Sequence, residues 1–102
     1  MAIKDLNNTN KCIFICNGGS CMRKDAENVT QAFRKNIKDV NLEDNYHTVR
    51  TRCMGVCNDA PVAMLAPDSI WLKNINPSQC NSILSQIQLN TISKSKHFLH
   101  QM

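Results

Sequence analysis

The chain has 102 residues and a mass of 11.5 kDa, the size of one ordinary domain. Its hydrophobic fraction of 42% is typical of a globular protein, and no apolar run approaches the roughly 20 residues that a membrane helix needs. The formal net charge of +4 is small and aromatic residues make up only 5%, which argues against nucleic-acid binding.

The opening segment, residues 1–10, is polar and asparagine-rich, and we expect it to be a lead-in to the fold. It lacks the apolar stretch of a signal peptide, so we expect a cytoplasmic protein. Thiols stay reduced in that compartment, where clustered cysteines bind metal more often than they pair. This disfavours reading the six cysteines as three disulfides.

The first half of the chain predicts a strand, a helix and a second strand. Residues 11–16 form a continuous apolar run that suits a strand buried on both faces. Residues 25–38 predict a helix with Asp25 as N-cap, because apolar side chains recur every three or four positions. Residues 47–52 alternate weakly and predict another strand.

The second half predicts a hairpin and a final helix. Strands at 62–66 and 70–72 flank a Pro-Asp-Ser turn, and Asn76 with Pro77 starts a helix whose buried face includes Cys80. Residues 90–102 are polar, and we expect a tail. The resulting order, β-α-β-β-β-α, predicts an α/β domain over residues 11–89 with a mixed, thioredoxin-like sheet.

Two short turns contain four of the six cysteines: Cys16-Asn-Gly-Gly-Ser-Cys21 and Cys53-Met-Gly-Val-Cys57. Thiolates are ligands for both iron–sulfur clusters and structural zinc. The three glycines in these turns allow the main chain to approach a cluster closely and to direct N–H groups at sulfur. The turns therefore predict a metal centre.

The remaining two cysteines are predicted to be structural. Cys12 and Cys16 are four positions apart on one strand, about 13 Å at roughly 3.3 Å per residue, so one binuclear cluster cannot use both. Cys12 lies within the apolar run, whereas Cys16 ends it beside the glycines. Cys80 lies on the buried face of the last helix. The predicted ligands are Cys16, Cys21, Cys53 and Cys57.

Other chemistries fit these cysteines less well. Zinc sites with four cysteines usually have two-residue gaps, and both gaps here are longer, which favours a cluster. A Rieske-type centre needs two histidines, but His47, His97 and His100 all lie outside the turns. Thiol–disulfide exchange requires a Cys-x-x-Cys motif, which the chain lacks.

A family becomes recognisable in four motifs: a strand ending in Cys16, then Ser20-Cys21-Met-Arg-Lys, then Cys53-Met-Gly-Val-Cys57 followed by Ala60-Pro61-Val62, and then Pro67-Asp68-Ser-Ile-Trp71. Together they resemble the thioredoxin-like [2Fe–2S] ferredoxins over about residues 11–89. The same module occurs in the small [2Fe–2S] subunit of NADH:quinone oxidoreductase. The short first loop is similar to that of stand-alone bacterial members.

The resemblance implies a [2Fe–2S] cluster on Cys16, Cys21, Cys53 and Cys57. It also implies one-electron transfer with a redox partner protein, and often a homodimer. The sequence shows no pair of residues suited to acid–base catalysis, so we do not expect an enzyme. The alternative is a zinc-stabilised or metal-free interaction module with the same fold. Basic residues flank the cysteine turns, either as a solvated rim or to attract an acidic partner: Arg23, Lys24, Arg50 and Arg52.

Overall fold

A five-stranded mixed sheet is the frame of the molecule. The structure is a computed structural model that describes residues 9–55 and 57–102, without the side chains of residues 20, 22 and 57. In chain order the strands are β1 (Lys11–Cys16), β2 (Tyr46–Thr51), β3 (Ala63–Ala66), β4 (Ile70–Leu72) and β5 (Phe98–Gln101). Their order in space is β2-β1-β3-β4-β5, with β1 parallel to β2 and the other neighbours antiparallel.

Helices follow β1 and the β3–β4 hairpin: α1 (Gly19–Arg23), α2 (Ala26–Asp39) and α3 (Cys80–Gln88). The predicted β-α-β-β-β-α order is therefore confirmed, and α1 and β5 are added to it. A 3₁₀ turn, Pro77–Gln79, precedes α3, and the Asn76 side chain accepts a hydrogen bond from the backbone N–H of Ser78 at 3.1 Å. The predicted Asn-Pro helix start is thus present.

The core lies between one face of the sheet and the two longer helices. Ile13 and Ile15 of β1 are fully buried with Phe33 of α2 and with Ile83 and other residues of α3. Burial of a side chain of this size contributes about 1.5–3 kcal/mol. Within the described residues, no helix is long and apolar enough to cross a bilayer.

The opposite face of the sheet is covered less completely. The strand register places four apolar side chains side by side across four strands, and all four are half-buried: Val49, Phe14, Met64 and Trp71. We call this set the apolar row. The expectation that β1 is buried on both faces is therefore correct only for the helix side, because α2 and α3 both pack there.

The segment expected to be a polar tail instead closes the sheet. Leu72 pairs with Phe98 and Ile70 with Gln101, so β5 is the edge strand next to β4. Ile92 and His97, at 3% and 6% exposure, bury the connection. β5 could not be predicted from the sequence because it is short and its surroundings in the chain are polar. It forms a strand only because β4 provides an edge for it to pair with in the folded chain. Of the predicted lead-in 1–10, residues 1–8 lie outside the described residues.

Asp25 precedes α2, as predicted, but does not cap it with its side chain. Its backbone is left-handed, with φ of 78°, and its carboxylate accepts a hydrogen bond from the side chain of Asn28 at 2.7 Å. The expected capping bond to the backbone is absent because the chain must turn sharply between α1 and α2.

Candidate metal centre

The first cysteine turn begins where β1 ends. The backbone N–H of Cys16 donates to the carbonyl of Val62 at 3.0 Å. The side chain of Cys16 is 3% exposed, and its sulfur donates to the carbonyl oxygen of Arg52 at 3.6 Å. The first predicted ligand is therefore joined to the residue directly before the second cysteine turn.

Asn17 fixes the path of the chain after Cys16. Its backbone N–H donates to the carbonyl of Thr51 at 2.9 Å. Its Nδ2 donates to the carbonyl of Ile15 at 3.0 Å and to Oγ1 of Thr30 at 3.5 Å. Asn17 thus joins the ends of β1 and β2 to α2. The sequence did not predict these bonds, because the partners of Asn17 in β2 and α2 are distant along the chain.

A short helix that the sequence did not predict contains the second cysteine. Two glycines before Cys21 suggested an irregular turn, but α1 begins at Gly19 and ends at Arg23. Cys21 is 2% exposed and belongs to a small apolar cluster with Cys16, Ala26, Ala60 and Val62. Half-buried Met54 and Trp71 pack against this cluster. The first two predicted ligands therefore share one water-poor site.

Direct contact joins the two cysteine turns at Gly18. A methyl group added there would lie 2.6 Å from Cα, 2.7 Å from N and 2.8 Å from Cβ of Cys53. Only a residue without a side chain allows the backbones to approach this closely. The structure thus brings together Gly18 and Cys53, which are 35 positions apart in the chain.

The second turn is more open to solvent. Cys53 is exposed, and the backbone N–H of Gly55 donates to its sulfur at 3.4 Å. Gly55 has φ of 87°, a conformation that favours glycine and directs this N–H back at the sulfur. Cys57 starts a 3₁₀ turn, Cys57–Asp59. Its side chain, which is predicted to be the fourth ligand, lies outside the described part of the structure.

The two cysteines predicted to be structural lie elsewhere. Cys12 is within β1, opposite Ala66 of β3. Cys80 is fully buried, and its sulfur donates to the carbonyls of Val29 and Asn76 at 3.8 and 3.7 Å. Burial raises the pKa of the Cys80 thiol to about 12, so it stays protonated near neutral pH and ties α3 to α2.

The histidines are also away from the cysteine turns. His47 is the second residue of β2 and pairs with Cys12, near the opposite end of the strand from Thr51. His97 is buried beside β4, with Nδ1 3.1 Å from the carbonyl of Lys73, and His100 lies on β5. This placement favours a centre whose ligands are all cysteines.

One of the four basic residues predicted to flank the turns is bound to a carboxylate. Nε and Nη2 of Arg50 donate to the two carboxylate oxygens of Glu27 at 2.9 and 2.6 Å. These bonds lower the pKa of Glu27 to about 2. The other three, Arg23, Lys24 and Arg52, are exposed.

Comparison with known proteins identifies the family of the chain. The family model of the thioredoxin-like [2Fe–2S] ferredoxins matches residues 3–88. The chain belongs to this family. Membership implies a [2Fe–2S] cluster and the role of an electron carrier, and it favours iron and sulfide over zinc for the cysteine turns.

Individual relatives show the same relationship. The chain is 43% identical over 82 residues to a putative 2Fe-2S ferredoxin of Priestia megaterium, covering 80% of this chain and 64% of that protein. It is 31% identical over 78 residues to a subunit of an NADP-reducing hydrogenase of Solidesulfovibrio fructosivorans, covering 72% of this chain and 44% of the subunit. Both relatives extend well beyond the matched region.

A solved structure supports the fold of this ferredoxin. The thioredoxin-like [2Fe–2S] ferredoxin from Aquifex aeolicus, at 1.5 Å resolution, superposes with a TM-score of 0.73 and 27% identity, over 81% of this chain and 88% of that one. The predicted thioredoxin-like α/β fold is therefore confirmed.

The described residues supply part of what the cluster implied by the family name requires. Within them, and without the side chain of Cys57, no group of three or more potential metal ligands is close enough to hold a metal ion. Thiols are the donors that such a cluster requires, and two of them lie in an apolar pocket. The close approach at Gly18 and the N–H directed at the sulfur of Cys53 are the backbone features expected around sulfur ligands. These features belong to this chain and not only to its relatives.

Proposed function

We propose that this chain is a small one-electron carrier in which Cys16, Cys21, Cys53 and Cys57 hold the [2Fe–2S] cluster. The observation that supports this assignment best is the contact of Gly18 with Cys53, since it brings two remote cysteine turns together. The carrier works between redox partner proteins in the reducing cytoplasm and is not an enzyme by itself.

The cluster and the residues around it have three separate roles at this site. The bound cluster supplies a reversible one-electron couple. Cys16 and Cys21 lie among Ala60 and Val62, and this apolar surrounding keeps water away from half of the ligand set. The N–H of Gly55 offsets negative charge on the sulfur of Cys53. Apolar burial and sulfur hydrogen bonding act on the reduction potential in opposite directions.

Anaerobic purification followed by spectroscopy tests the proposed function. We expect a brown protein with sulfur-to-iron charge-transfer absorption that accepts one electron per cluster from dithionite and then gives an electron paramagnetic resonance signal. A colourless protein that binds one zinc ion would contradict the proposal. It would support the alternative of a zinc-stabilised interaction module with the same fold.

We also propose that two copies of the carrier associate through the apolar row. The resemblance to the family suggested a homodimer, and the half-buried row of Val49, Phe14, Met64 and Trp71 offers an apolar surface on the side away from α2 and α3. Removing such side chains from water stabilises an association by roughly 25 cal/mol per Å².

Met64→Lys should convert the dimer into a monomer, because it places a charge at the centre of the apolar row. Sedimentation velocity at micromolar concentration measures the change, with an expected weakening of at least about a hundredfold. Lys35→Glu is the control, since the side chain of Lys35 is 79% exposed on α2. A wild-type monomer, or equal dimerisation by all three proteins, would rule out this interface.

A further inference from the structure

The described cysteines of the centre differ sharply in exposure. Cys16 and Cys21 are 3% and 2% exposed, whereas Cys53 lies at the surface. Beside it, a methyl group built on Gly55 would meet no atom within 4 Å. We call the stretch from Cys53 to Gly55 the exit edge. Because Cys53 lies at the surface, a partner can approach the cluster most closely at this edge. The rate of electron transfer between proteins falls steeply with distance, so this edge favours transfer.

Exposed cations adjoin the two cysteine turns in the chain. Arg52 directly precedes Cys53, and Lys24 follows α1 in the turn before α2. The side chain of Arg23 lies close to the first cysteine turn: its Nη1 would be 3.6 Å from a methyl group added to Gly19. Gly18, the neighbour of Gly19, is the residue in contact with Cys53. These three side chains, Arg23, Lys24 and Arg52, form what we call the basic rim.

Pairing within the chain distinguishes Lys24 and Arg52 from Arg50, the other cation beside the second cysteine turn. Arg50 is bound to Glu27, and Lys11 to Asp68. Within residues 9–55 and 57–102, neither Lys24 nor Arg52 forms an ion pair. Side chains of this kind are available to carboxylates of another molecule.

Two carboxylates near Lys24 and Arg52 in the chain, Asp25 and Asp59, form no ion pair with these two cations within the described residues. Asp25 accepts a hydrogen bond from Asn28 at the start of α2. Asp59 is half-buried in the 3₁₀ turn after Cys57. Asp25 is exposed like Lys24 and Arg52, but its carboxylate is engaged by Asn28, so it does not neutralise either cation.

We propose that the exit edge is the docking surface for a redox partner that presents a cluster of carboxylates to Lys24 and Arg52. This inference rests on the proposed electron-carrier function and adds the chemical class of the partner. In the transfer step the reduced cluster loses one electron and the partner's redox centre gains it, with no bond made or broken. The cations hold the partner's carboxylates while its redox centre faces Cys53.

The double variant Lys24→Glu/Arg52→Glu tests this proposal with two probes. A fluorescently labelled glutamate oligopeptide reports binding by anisotropy, and ferricyanide, an anion, accepts the electron in stopped-flow measurements. At low salt we expect wild-type protein to bind the peptide and to reduce ferricyanide about tenfold faster than the double variant. The difference should shrink at high salt, where the charges are screened.

A matched control distinguishes the effect of the rim residues from the effect of a change in net charge. Lys94→Glu/Lys96→Glu changes the net charge by the same amount at exposed positions just before β5. It should behave like wild-type protein in both assays. Equal peptide binding and equal rates in the two double variants would overturn the docking surface.

The outcome is independent of the test of the electron carrier itself. Absorbance of the cluster is measured in every sample, so a colourless wild-type protein would contradict the proposed function. If the protein is brown but its rate of ferricyanide reduction is the same in wild-type protein and the double variant, only the docking surface is contradicted. Arg52→Gln changes the charge less and should reduce ferricyanide at a rate between those of wild-type protein and the double variant. It keeps the test valid if the double variant misfolds.

Discussion

Cys53→Ala should abolish binding of the cluster while leaving the fold of the metal-free chain nearly unchanged. Cys53 is exposed, so removing its sulfur creates no cavity in the core. The remaining thiols cannot replace it, because Cys12 lies within β1 and Cys80 is buried under α2. We expect iron content and visible absorbance to fall at least tenfold, measured by iron assay and spectroscopy after anaerobic reconstitution.

Cys80→Ala is the complementary variant and should have the opposite effect. It removes a fully buried thiol with two hydrogen bonds, so the free energy of unfolding should fall by about 1–2 kcal/mol. Its cluster content should equal that of wild-type protein. Denaturant unfolding of both metal-free variants makes the comparison. A Cys80→Ala protein without iron, or a Cys53→Ala protein with a full cluster, would refute the ligand assignment.

Gly18→Ala should strongly impair assembly of the centre. The added methyl group would lie within 2.8 Å of three atoms of Cys53, two of them backbone atoms that cannot rotate away. Overpacking of this kind costs about 1–3 kcal/mol, and here the strain falls on a ligand residue. We expect several-fold lower cluster occupancy and faster loss of colour in air, followed by absorbance.

Gly19→Ala is the matched control one position along. Its methyl group would meet only Nη1 of Arg23, at an ordinary contact distance of 3.6 Å. Alanine also suits the helix α1 that begins there. We expect cluster occupancy and stability like those of wild-type protein. If the two alanine variants lose the cluster equally, then the contact between Gly18 and Cys53 is not what assembles the site.

The amino-acid sequence by itself determined the main elements of the fold. β1 and β4 have their predicted bounds, and α2 and α3 bury the predicted faces. These elements are predictable because their signals are local: apolar periodicity, a proline turn and an Asn-Pro helix start. The same local reasoning placed Cys80 in the core, where the structure has it.

Only the tertiary structure decided how the two cysteine turns meet. The contact of Gly18 with Cys53, the hydrogen bonds of Asn17 and the pairing of β5 with β4 all join residues far apart in the chain. The ion pair of Arg50 with Glu27 likewise separated one cation from the three of the basic rim. The contacts between the cysteine turns depend on the parallel pairing of β1 and β2, which brings the carboxyl ends of both strands to one edge of the sheet, and local sequence patterns do not encode that pairing.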